Sequence, residues 1–459
     1  MNTPFLAALA RDLPLGTVLV GEDVGARHHC DWTRRNPHPP IAVVRPASTE
    51  EVATTLRHCH AARQAVVVQG GLTGLSGGAT PRGGELALSL ERMTGVEALD
   101  VESSTMQVRA GTPLVLIQEA AEAVGLQFPL DLGGRGSCTI GGNISTNAGG
   151  NRVIRYGMAR ELILGVEAVL ADGTIVSSLN AMLKNNAGYD LKQLFIGTEG
   201  TLGVVTRAVL RLHPGARERL TAFVAVDSFD ALVALLVRMR RALGGQLSSF
   251  EAMWSDYYEF AFQALLPGPR PFAQRHSHYA LVEMEAFDVA ADRGRLEEAL
   301  ADALASGVAA DAVLASSLSE ANRLWTVRDS AGQLIPTLPH PVSYDVSMPI
   351  AKMTDYLAQV SQRVTGLLGK ESLWVFGHLG DGNLHVITNL RDANDAAASD
   401  QAVYEPLAGF GSVSAEHGIG VLKRDWLHAS RSEAERGLMR QLKSALDPQG
   451  ILNPGRVIG

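Results

Sequence analysis

Apolar residues in the first half of the chain alternate between helical and strand-like spacing. Val52, Leu56 and Cys59 lie on one face of a helix, and the preceding Ser-Thr-Glu-Glu at 48–51 is typical of a capping box. The run 65–68 is short and rich in valine, which predicts a strand that leads into a glycine-rich loop. This alternation predicts a mixed helix and sheet fold.

Three further signals follow in the same half. Thr-Pro at 112–113 predicts the start of a helix that stops near Gly125. Residues 128–156 are dense in Gly, Asn, Ser and Thr and read as one long loop, which is usually functional at that length. Asp172–Gly173 predicts the turn of a hairpin with strands at 166–170 and 174–177.

The pattern changes near residue 215. Helical spacing returns at 229–243 and 295–305, separated by strand-like runs such as 278–284. We therefore expect a boundary near residue 215 and three parts: a first domain at 1–214, a second domain at 215–400 and a C-terminal segment at 401–459.

Composition excludes several classes of protein. The 459 residues include 46% hydrophobic and 19% charged residues and carry a formal net charge of -8, which argues against binding to nucleic acid or to anionic membranes. No apolar run reaches the roughly 18 residues of a membrane span. The three cysteines form no Cys-x-x-Cys pair, so a disulfide framework is not expected and a reducing cytosol is the predicted compartment.

Two glycine-rich segments are candidate ligand loops. The run 69–78 directly follows the predicted strand, and its backbone N–H groups can form a nest for a pyrophosphate. It matches neither the dinucleotide fingerprint nor the P-loop, and a structural turn is the alternative. The run 136–150 combines small and amide side chains, which suits a planar polar ligand held along extended backbone, with a tight surface loop as the alternative.

A histidine pair flanks a third candidate site. If Asp381 and Gly382 are the central residues of a two-residue turn, His378 and His385 lie directly opposite each other on adjacent strands. Two imidazoles so placed can hold one divalent metal ion. The alternative is a surface hairpin with incidental histidines.

Five motifs, in order, carry a resemblance to a known family. They are Pro-Leu-Asp-Leu at 129–132, the glycine-rich run 141–150, Tyr-Gly at 156–157, Gly-Tyr-Asp-Leu at 188–191 and Phe-Ile-Gly-Thr-Glu-Gly-Thr-Leu-Gly at 195–203. The region from Gly70 to Thr206 resembles the FAD domain of the vanillyl-alcohol-oxidase (PCMH) type. Within it, the chain resembles the D-2-hydroxy-acid dehydrogenase branch, which holds D-2-hydroxyglutarate dehydrogenase, D-lactate dehydrogenase and the flavin subunit of glycolate oxidase.

The resemblance implies an α+β fold with a two-subdomain PCMH-type FAD-binding domain, an α+β cap domain and a C-terminal segment that returns to the flavin. Because the first loop contains no His, Tyr or Cys, FAD is expected to be non-covalent. The residues implied to contact FAD are Gly70, Gly71, Thr73, Gly74, Pro129, Ser137, Gly141, Gly142, Asn143, Ser145, Thr146, Asn147, Glu199, Gly200, Val204 and Asn453.

The same resemblance implies a metal-assisted oxidation. His378, His385 and Glu416 are the implied metal ligands; Zn²⁺ is the predicted ion, and other divalent metals are compatible with the sequence. The implied catalytic residues are His417 as the base, Arg328 as the partner of a substrate carboxylate and Asn383 as a substrate contact. The C2 hydride of a D-2-hydroxy acid would pass to flavin N5.

Two departures from the family pattern concern the substrate. Ser343 stands where hydroxyglutarate dehydrogenases have a Lys, and Gly332 where they have a Thr, so a strict preference for hydroxyglutarate is not expected. Alternative functions are the flavin subunit of a multi-chain glycolate-type oxidase and an oxygen-using alcohol oxidase. The family suggests an electron-transfer flavoprotein or a quinone as the electron acceptor, and a homodimer is plausible by likeness.

Overall fold

The computed structural model describes two compact units of the chain. The described residues are 3–265, 270–369 and 372–458. The first unit comprises residues 1–150, 157–215 and 416–459, and the second comprises residues 151–156 and 216–415. The three-part division expected from the sequence stays a prediction.

The described residues form helices and strands of mixed class. The helices are α1 (Thr3–Asp12), α2 (Thr49–Ala62), α3 (Leu114–Glu122), α4 (Ile140–Thr146), α5 (Val153–Tyr156), α6 (Ala159–Leu162), α7 (Phe229–Leu243), α8 (Ser255–Leu265), α9 (Val289–Ala305), α10 (Leu318–Arg328), α11 (Ala331–Leu334), α12 (Met353–Leu368), α13 (Ala396–Tyr404), α14 (Leu427–Ser430) and α15 (Glu433–Leu446). The strands are β1 (Val18–Leu19), β2 (Val43–Val44), β3 (Val66–Gln69), β4 (Leu86–Ser89), β5 (Val96–Asp100), β6 (Thr105–Arg109), β7 (Leu126–Gln127), β8 (Ile163–Val169), β9 (Ile175–Ser178), β10 (Val204–Arg211), β11 (His213–Pro214), β12 (Glu218–Val226), β13 (Leu247–Trp254), β14 (His278–Ala286), β15 (Asp311–Leu314), β16 (Pro341–Ser347), β17 (Leu373–Gly377) and β18 (Asn383–Asn389).

The described residues of the first unit form three sheets. A four-stranded sheet has the order β1-β2-β4-β3, and β4 is parallel to both β2 and β3. A five-stranded antiparallel sheet has the order β5-β6-β10-β8-β9, and β7 pairs with β11. The parallel strands are short apolar runs, and Val43, Val67 and Ala87 form their fully buried core, as expected for strands covered on both faces.

The predicted cap and hairpin of the first unit are confirmed, but only half of the capping box forms, because the Glu51 carboxylate accepts the Ala47 N–H and not that of Ser48. Ser48 caps α2 and accepts a hydrogen bond from the Glu51 N–H. The hairpin of β8 and β9 pairs Val169 with Ile175 around the Asp172–Gly173 turn. Each signal depends on residues a few positions apart, so the local sequence is enough to specify it.

The expected loop at 128–156 is wrong in part, because α4 and α5 interrupt it. Glycines and β-branched residues have low helix propensity, so the composition of α4 does not predict a helix. Tertiary contacts stabilise it instead: Ile140 and Ile144 are fully buried, and the Gly141 N–H donates to the Ala110 carbonyl at 2.7 Å. The backbone of 140–146 is therefore helical where an extended ligand loop was predicted.

The second unit is built on one seven-stranded antiparallel sheet of order β15-β12-β14-β13-β17-β18-β16. Aromatic side chains on one face of this sheet form a buried core with α8 and α10. Tyr257 stacks on Phe376 with ring centroids 4.2 Å apart, and Tyr258 stacks on Tyr279 at 4.0 Å. This core includes α10, which ends at Arg328 and packs against β12 and β14.

None of the helices in the described residues combines the length and the apolar character that crossing a bilayer requires.

Candidate active site

The two glycine-rich segments meet within the first unit. A Cβ on Gly70 would lie 2.7 Å from Thr139 Oγ1, and a Cβ on Gly71 would collide with the Ser137 carbonyl and lie 2.9 Å from the Cys138 Cα. Only glycine allows such an approach, because real Cβ atoms do not come that close to other heavy atoms. The loop after β3 and the segment that begins α4 therefore form one surface.

Two polar atoms on this surface are buried without a hydrogen-bond partner among the described residues. They are Thr139 Oγ1 and Asn143 Oδ1. Buried polar groups are paired in nearly all native proteins, so an orphaned pair indicates a missing polar ligand or water. This observation fits a polar cofactor such as FAD at the segment that carries seven of the sixteen predicted cofactor residues.

Three predicted cofactor residues also hold α4 together. Ser145 Oγ donates to the Gly141 carbonyl at 2.7 Å, and Thr146 Oγ1 donates to the Gly142 carbonyl at 3.1 Å. Asn147 ends the helix with a φ of 50°, and its Oδ1 accepts the Arg160 N–H at 2.9 Å. The hydroxyl oxygens of Ser145 and Thr146 keep lone pairs for a ligand, while the hydrogen bonds that they donate, and the one that Asn147 accepts, stabilise the local backbone.

Asn453 joins the C-terminal segment to the strand β3 and to a tight turn. Its Oδ1 accepts the Val68 N–H at 2.8 Å, and its Nδ2 donates to the Glu199 carbonyl at 2.5 Å. A Cβ on the neighbouring Gly200, which has a φ of 71°, would lie 2.9 Å from the same Nδ2. The predicted cofactor residues at 199, 200 and 453 thus contact each other. The remaining ones, Thr73, Gly74, Pro129, Ser137, Gly142 and Val204, lie in the same unit.

The Glu199 carboxylate holds the segment that follows His417. Its oxygens accept the Ile419 N–H at 2.6 Å and the Gly420 N–H at 2.9 Å. Burial raises the pKa of Glu199, and the two N–H donors oppose part of that rise. Ser76 Oγ lies 3.0 Å from the His417 carbonyl, to which it donates. The backbone around the predicted base is therefore fixed from two sides of the first unit.

Glu416, a predicted metal ligand, faces the second glycine-rich segment. Its carboxylate accepts the Gly150 N–H. A Cβ on Gly149 would lie 2.5 Å from Glu416 Oε1, so a larger residue there would displace the Glu416 carboxylate. The carboxylate is thereby directed by the backbone of the segment that follows α4.

In the second unit the histidine hairpin has a different register from the predicted one. Phe376, not His378, pairs with His385, and the Asn383 N–H donates to the His378 carbonyl at 3.2 Å. The prediction of a two-residue turn is wrong because residues 378–382 form a longer loop between β17 and β18. Other strands hold this loop: the Gly380 N–H donates to the Phe250 carbonyl at 3.3 Å, and the Met348 N–H to the Gly382 carbonyl at 3.0 Å.

The two imidazoles are nevertheless neighbours. His378 and His385 are diagonal partners on one face of the hairpin, and their ring centroids lie 5.4 Å apart. Both are buried, with 4% and 8% of their surface exposed. The pair fits a divalent cation as two nitrogen ligands that keep lone pairs close together.

Each histidine faces a buried carboxylate that the sequence reasoning missed. His378 Nδ1 lies 2.9 Å from Glu251 Oε1, and His385 Nδ1 lies 3.9 Å from Asp345 Oδ1. Metal-binding histidines usually have such a carboxylate on their other ring nitrogen. A signal was present, since both are single acids in otherwise apolar or uncharged strands, in Ser-Phe-Glu-Ala-Met and Ser-Tyr-Asp-Val-Ser.

Arg328 lies in the same buried group. Its Nε donates to Glu251 Oε2 at 2.6 Å, and its Nη2 lies 2.9 Å from His378 Nε2. Burial would raise the pKa of Glu251, but the positive charge of Arg328 and the contact with His378 hold it below its usual range. The guanidinium predicted to bind a substrate carboxylate thus already has a carboxylate partner at its Nε.

Asn383, a predicted substrate contact, lies beside Asp345 in the second unit. Asn383 Nδ2 donates to Asp345 Oδ1 at 2.7 Å. Asn383 Oδ1 is buried and has no hydrogen-bond partner among the described residues, which leaves an acceptor for a polar ligand. Asp345 Oδ2 also accepts the Ala415 N–H at 3.1 Å, and Glu416 follows Ala415 in the chain.

Comparison with known families assigns both parts of the chain. A model of an FAD binding domain matches residues 40–178, and a model described as the C-terminal domain of FAD linked oxidases matches residues 216–457. This chain belongs to the FAD-linked oxidase family. It is accordingly an FAD-dependent oxidoreductase, and the family resemblance inferred from the motifs is confirmed.

Individual relatives agree with this assignment. The chain is 38% identical to a D-2-hydroxyglutarate dehydrogenase of Xanthomonas citri pv. viticola over 100% of its own length and 97% of that protein. It is 39% identical to the mitochondrial D-2-hydroxyglutarate dehydrogenase of Bos taurus, over 99% of this chain and 83% of that one. The structure of p-cresol methylhydroxylase with bound substrate aligns with a TM-score of 0.77 at 16% identity, covering 99% of this chain and 96% of that chain. That likeness confirms the predicted fold class.

The predicted cytosolic compartment is wrong. Relatives from Bos taurus, Oryza sativa and Arabidopsis thaliana are named as mitochondrial enzymes. The prediction rested on the cysteines, which are unpaired in the structure. Unpaired thiols indicate that a compartment is reducing, but they do not identify which reducing compartment it is.

Proposed function

We propose that this enzyme oxidises a D-2-hydroxy acid of the hydroxyglutarate and lactate class to the 2-oxo acid. The observation that carries the proposal is the buried histidine pair, with a carboxylate facing each ring and Arg328 beside it. An alcohol oxidase without metal has no need of this group. The relatives named as D-2-hydroxyglutarate dehydrogenases support the substrate class.

His378, His385 and Glu416 hold the metal ion in this proposal. Two imidazoles and one carboxylate leave coordination positions open for substrate, as in catalytic zinc sites, and favour Zn²⁺. The ion supplies a Lewis acid that makes the C2 hydroxyl of the substrate more acidic. The carboxylate of Glu416 is aimed by the Gly150 N–H.

The remaining roles belong to side chains around the substrate. His417 takes the proton of the C2 hydroxyl, a task for which an imidazole is suited at neutral pH. Arg328 binds the substrate carboxylate and Asn383 contributes its unpaired amide oxygen to substrate binding. Residues 70–74, 137–147, 199–204 and Asn453 would hold FAD, which would supply a hydride acceptor at N5. The electron acceptor of the enzyme in this proposal is an electron-transfer flavoprotein or a quinone.

Substrate choice within the class is broad in this proposal. Ser343 lies exposed on β16, and Gly332 lies exposed on α11. Neither residue provides the charge or hydroxyl that hydroxyglutarate dehydrogenases have at these positions. Loss of a charged hydrogen bond to a distal carboxylate costs about 1.5–3 kcal/mol, enough to bring D-lactate-like acids into competition.

Anaerobic flavin reduction tests the proposed function. The FAD-loaded enzyme is mixed with D- and L-enantiomers of 2-hydroxyglutarate and lactate, and bleaching of the flavin is followed. We expect bleaching by the D-acids, loss of it after chelation and recovery with Zn²⁺. His385→Gln should slow bleaching by more than the roughly 100-fold that loss of an outer metal partner costs.

A second histidine variant is the matched control. His276, whose Nδ1 lies 2.9 Å from Asp227 Oδ1, belongs to the same unit, and His276→Gln should bleach like the wild type. Bleaching by L-acids alone, or bleaching that chelation leaves unchanged, contradicts the proposal. A requirement for a second polypeptide would favour an oxidase subunit, and rapid reoxidation by oxygen would favour an alcohol oxidase.

A further inference from the structure

Glu251 lies between two residues with different proposed tasks. It occupies the central strand β13, and 1% of its surface is exposed. One carboxylate oxygen, Oε1, faces His378 Nδ1 at 2.9 Å, and the other, Oε2, accepts from Arg328 Nε at 2.6 Å. A single carboxylate therefore fixes a proposed metal ligand and a proposed substrate-binding side chain.

The contact with Oε1 determines which nitrogen of His378 carries the proton. A carboxylate only accepts hydrogen bonds, so Nδ1 is the N–H donor and the lone pair lies on Nε2. That lone pair faces Arg328 Nη2 at 2.9 Å. It can serve Arg328 or a metal ion but not both.

The contact with Oε2 determines what happens to Arg328 when Nε2 binds metal. The guanidinium stays anchored, because its Nε donates to Glu251, while its Nη2 becomes available and its Nη1 stays 3.5 Å from Asp329 Oδ1. Tyr257 Oη, which donates to the Arg328 carbonyl at 3.0 Å, holds the backbone at the end of α10. A planar guanidinium anchored at Nε can present its Nη groups to a carboxylate in a fixed orientation.

We propose that Glu251 is a positioning residue that sets the His378 tautomer for metal binding and holds Arg328 for the substrate carboxylate. The inference rests on the proposed function for its metal and its substrate. Metal binding at Nε2 exchanges the contact between Arg328 and His378 for one between Arg328 and the substrate.

Glu283 provides a matched control for removal of a buried carboxylate. It lies on the adjacent strand β14, with 3% of its surface exposed, in a pair with Ser249. Its partners are Ser248 Oγ at 3.2 Å, Trp325 Nε1 at 3.1 Å and Arg152 Nε at 3.5 Å. Glu283→Gln should therefore reproduce the loss of a buried charge without changing His378 or Arg328.

Metal affinity and steady-state kinetics, measured on the FAD-loaded protein, test the proposed effects of Glu251 on His378 and on Arg328. Glu251→Gln should weaken Co²⁺ and Zn²⁺ binding, measured by competition with a chromophoric chelator, by about 10–100-fold. It should also raise the KM for the D-2-hydroxy acid, while FAD content stays at the wild-type level. Glu251→Asp, which keeps the charge, should recover part of both losses, and Glu283→Gln should lose neither.

Nitrogen NMR of the histidine side chains tests the role of Glu251 independently of the proposed function. In metal-free wild-type protein the His378 signals, assigned with His378→Gln, should report a proton on Nδ1, and in Glu251→Gln the other tautomer should be populated. This result is expected even if the wild type oxidises no hydroxy acid. An unchanged tautomer, or unchanged metal affinity and KM in a folded Glu251→Gln protein, overturns the proposal.

Discussion

Arg456 is the largest fully buried side chain of the described residues, and it fastens the C-terminal segment to the first unit. Its Nη2 donates to Glu85 Oε2 at 2.8 Å and to the Thr80 carbonyl at 2.6 Å. Its Nε donates to the Gly78 carbonyl at 3.2 Å. A buried ion pair with all its donors engaged fixes the end of the first glycine-rich loop, and with it the surface assigned to FAD.

Removal of this guanidinium should cost more stability than any exposed arginine. Arg456→Met leaves the Glu85 carboxylate buried without its partner, so we expect a loss of about 3–5 kcal/mol in the free energy of unfolding. Urea unfolding followed by circular dichroism measures it. Arg424→Met is the control, because Arg424 is partly exposed and pairs with its neighbour Asp425; it should cost at most about 1 kcal/mol. Equal losses in the two variants would contradict the role given to Arg456.

At the scale of elements, helix α9 contains a glycine that the fold does not require. Gly294 lies in the helix interior, and a Cβ there would meet nothing within 4 Å. Gly307 follows the end of the same helix with a φ of 72°, a conformation that L-residues rarely adopt. A larger residue is therefore tolerated at position 294, whereas the backbone at position 307 favours glycine.

The same substitution should change stability in opposite directions at these positions. Gly294→Ala removes backbone freedom from the unfolded chain and should add about 0.5–1 kcal/mol to the free energy of unfolding. Gly307→Ala forces an alanine into left-handed backbone and should cost about 1–2 kcal/mol. Chemical denaturation of both variants measures these two changes in the free energy of unfolding. Destabilisation by Gly294→Ala would show that the helix is distorted at that residue.

The two predictions that failed for individual elements have one cause. The helix α4 forms in a sequence of poor helix propensity because Ile140 and Ile144 are buried. The hairpin of β17 and β18 has a longer loop than the turn signal predicted because Phe250 and Met348 bind that loop. In both cases contacts with distant residues override a local preference.

At the scale of the whole molecule, the cofactor residues and the histidine pair divide between the two units. All residues implied to contact FAD belong to the first unit, while His378, His385, Asn383 and Arg328 belong to the second. Binding of FAD should therefore slow amide hydrogen exchange mainly in the first unit.

Hydrogen exchange with and without FAD tests that expectation. FAD at about 100 times its dissociation constant adds about 2.7 kcal/mol to the stability of the state that binds it, so amides at 70–78 and 137–147 should exchange up to roughly 100-fold more slowly. FMN, which lacks the second phosphate and the adenosine, should protect the first loop much less. Peptides from α10 serve as the internal control. Equal protection by FMN would contradict a pyrophosphate nest in the loop after β3.

The sequence by itself determined the features that depend on neighbouring residues. The Ser48 cap and the Asp172–Gly173 turn occur as predicted. Each needs only residues two to four positions apart, and the ordered motifs were enough to identify the family.

Only the tertiary structure decided how the buried charges pair. Glu251 lies 77 positions from Arg328 and 127 from His378, and the three meet only once β13, β17 and α10 are assembled. No periodicity records such a pairing, since each residue appears in the sequence as an isolated charge. Burial makes the pairing obligatory, because an unpaired charge in the core costs several kcal/mol. The fold therefore selects the partners that the sequence leaves open.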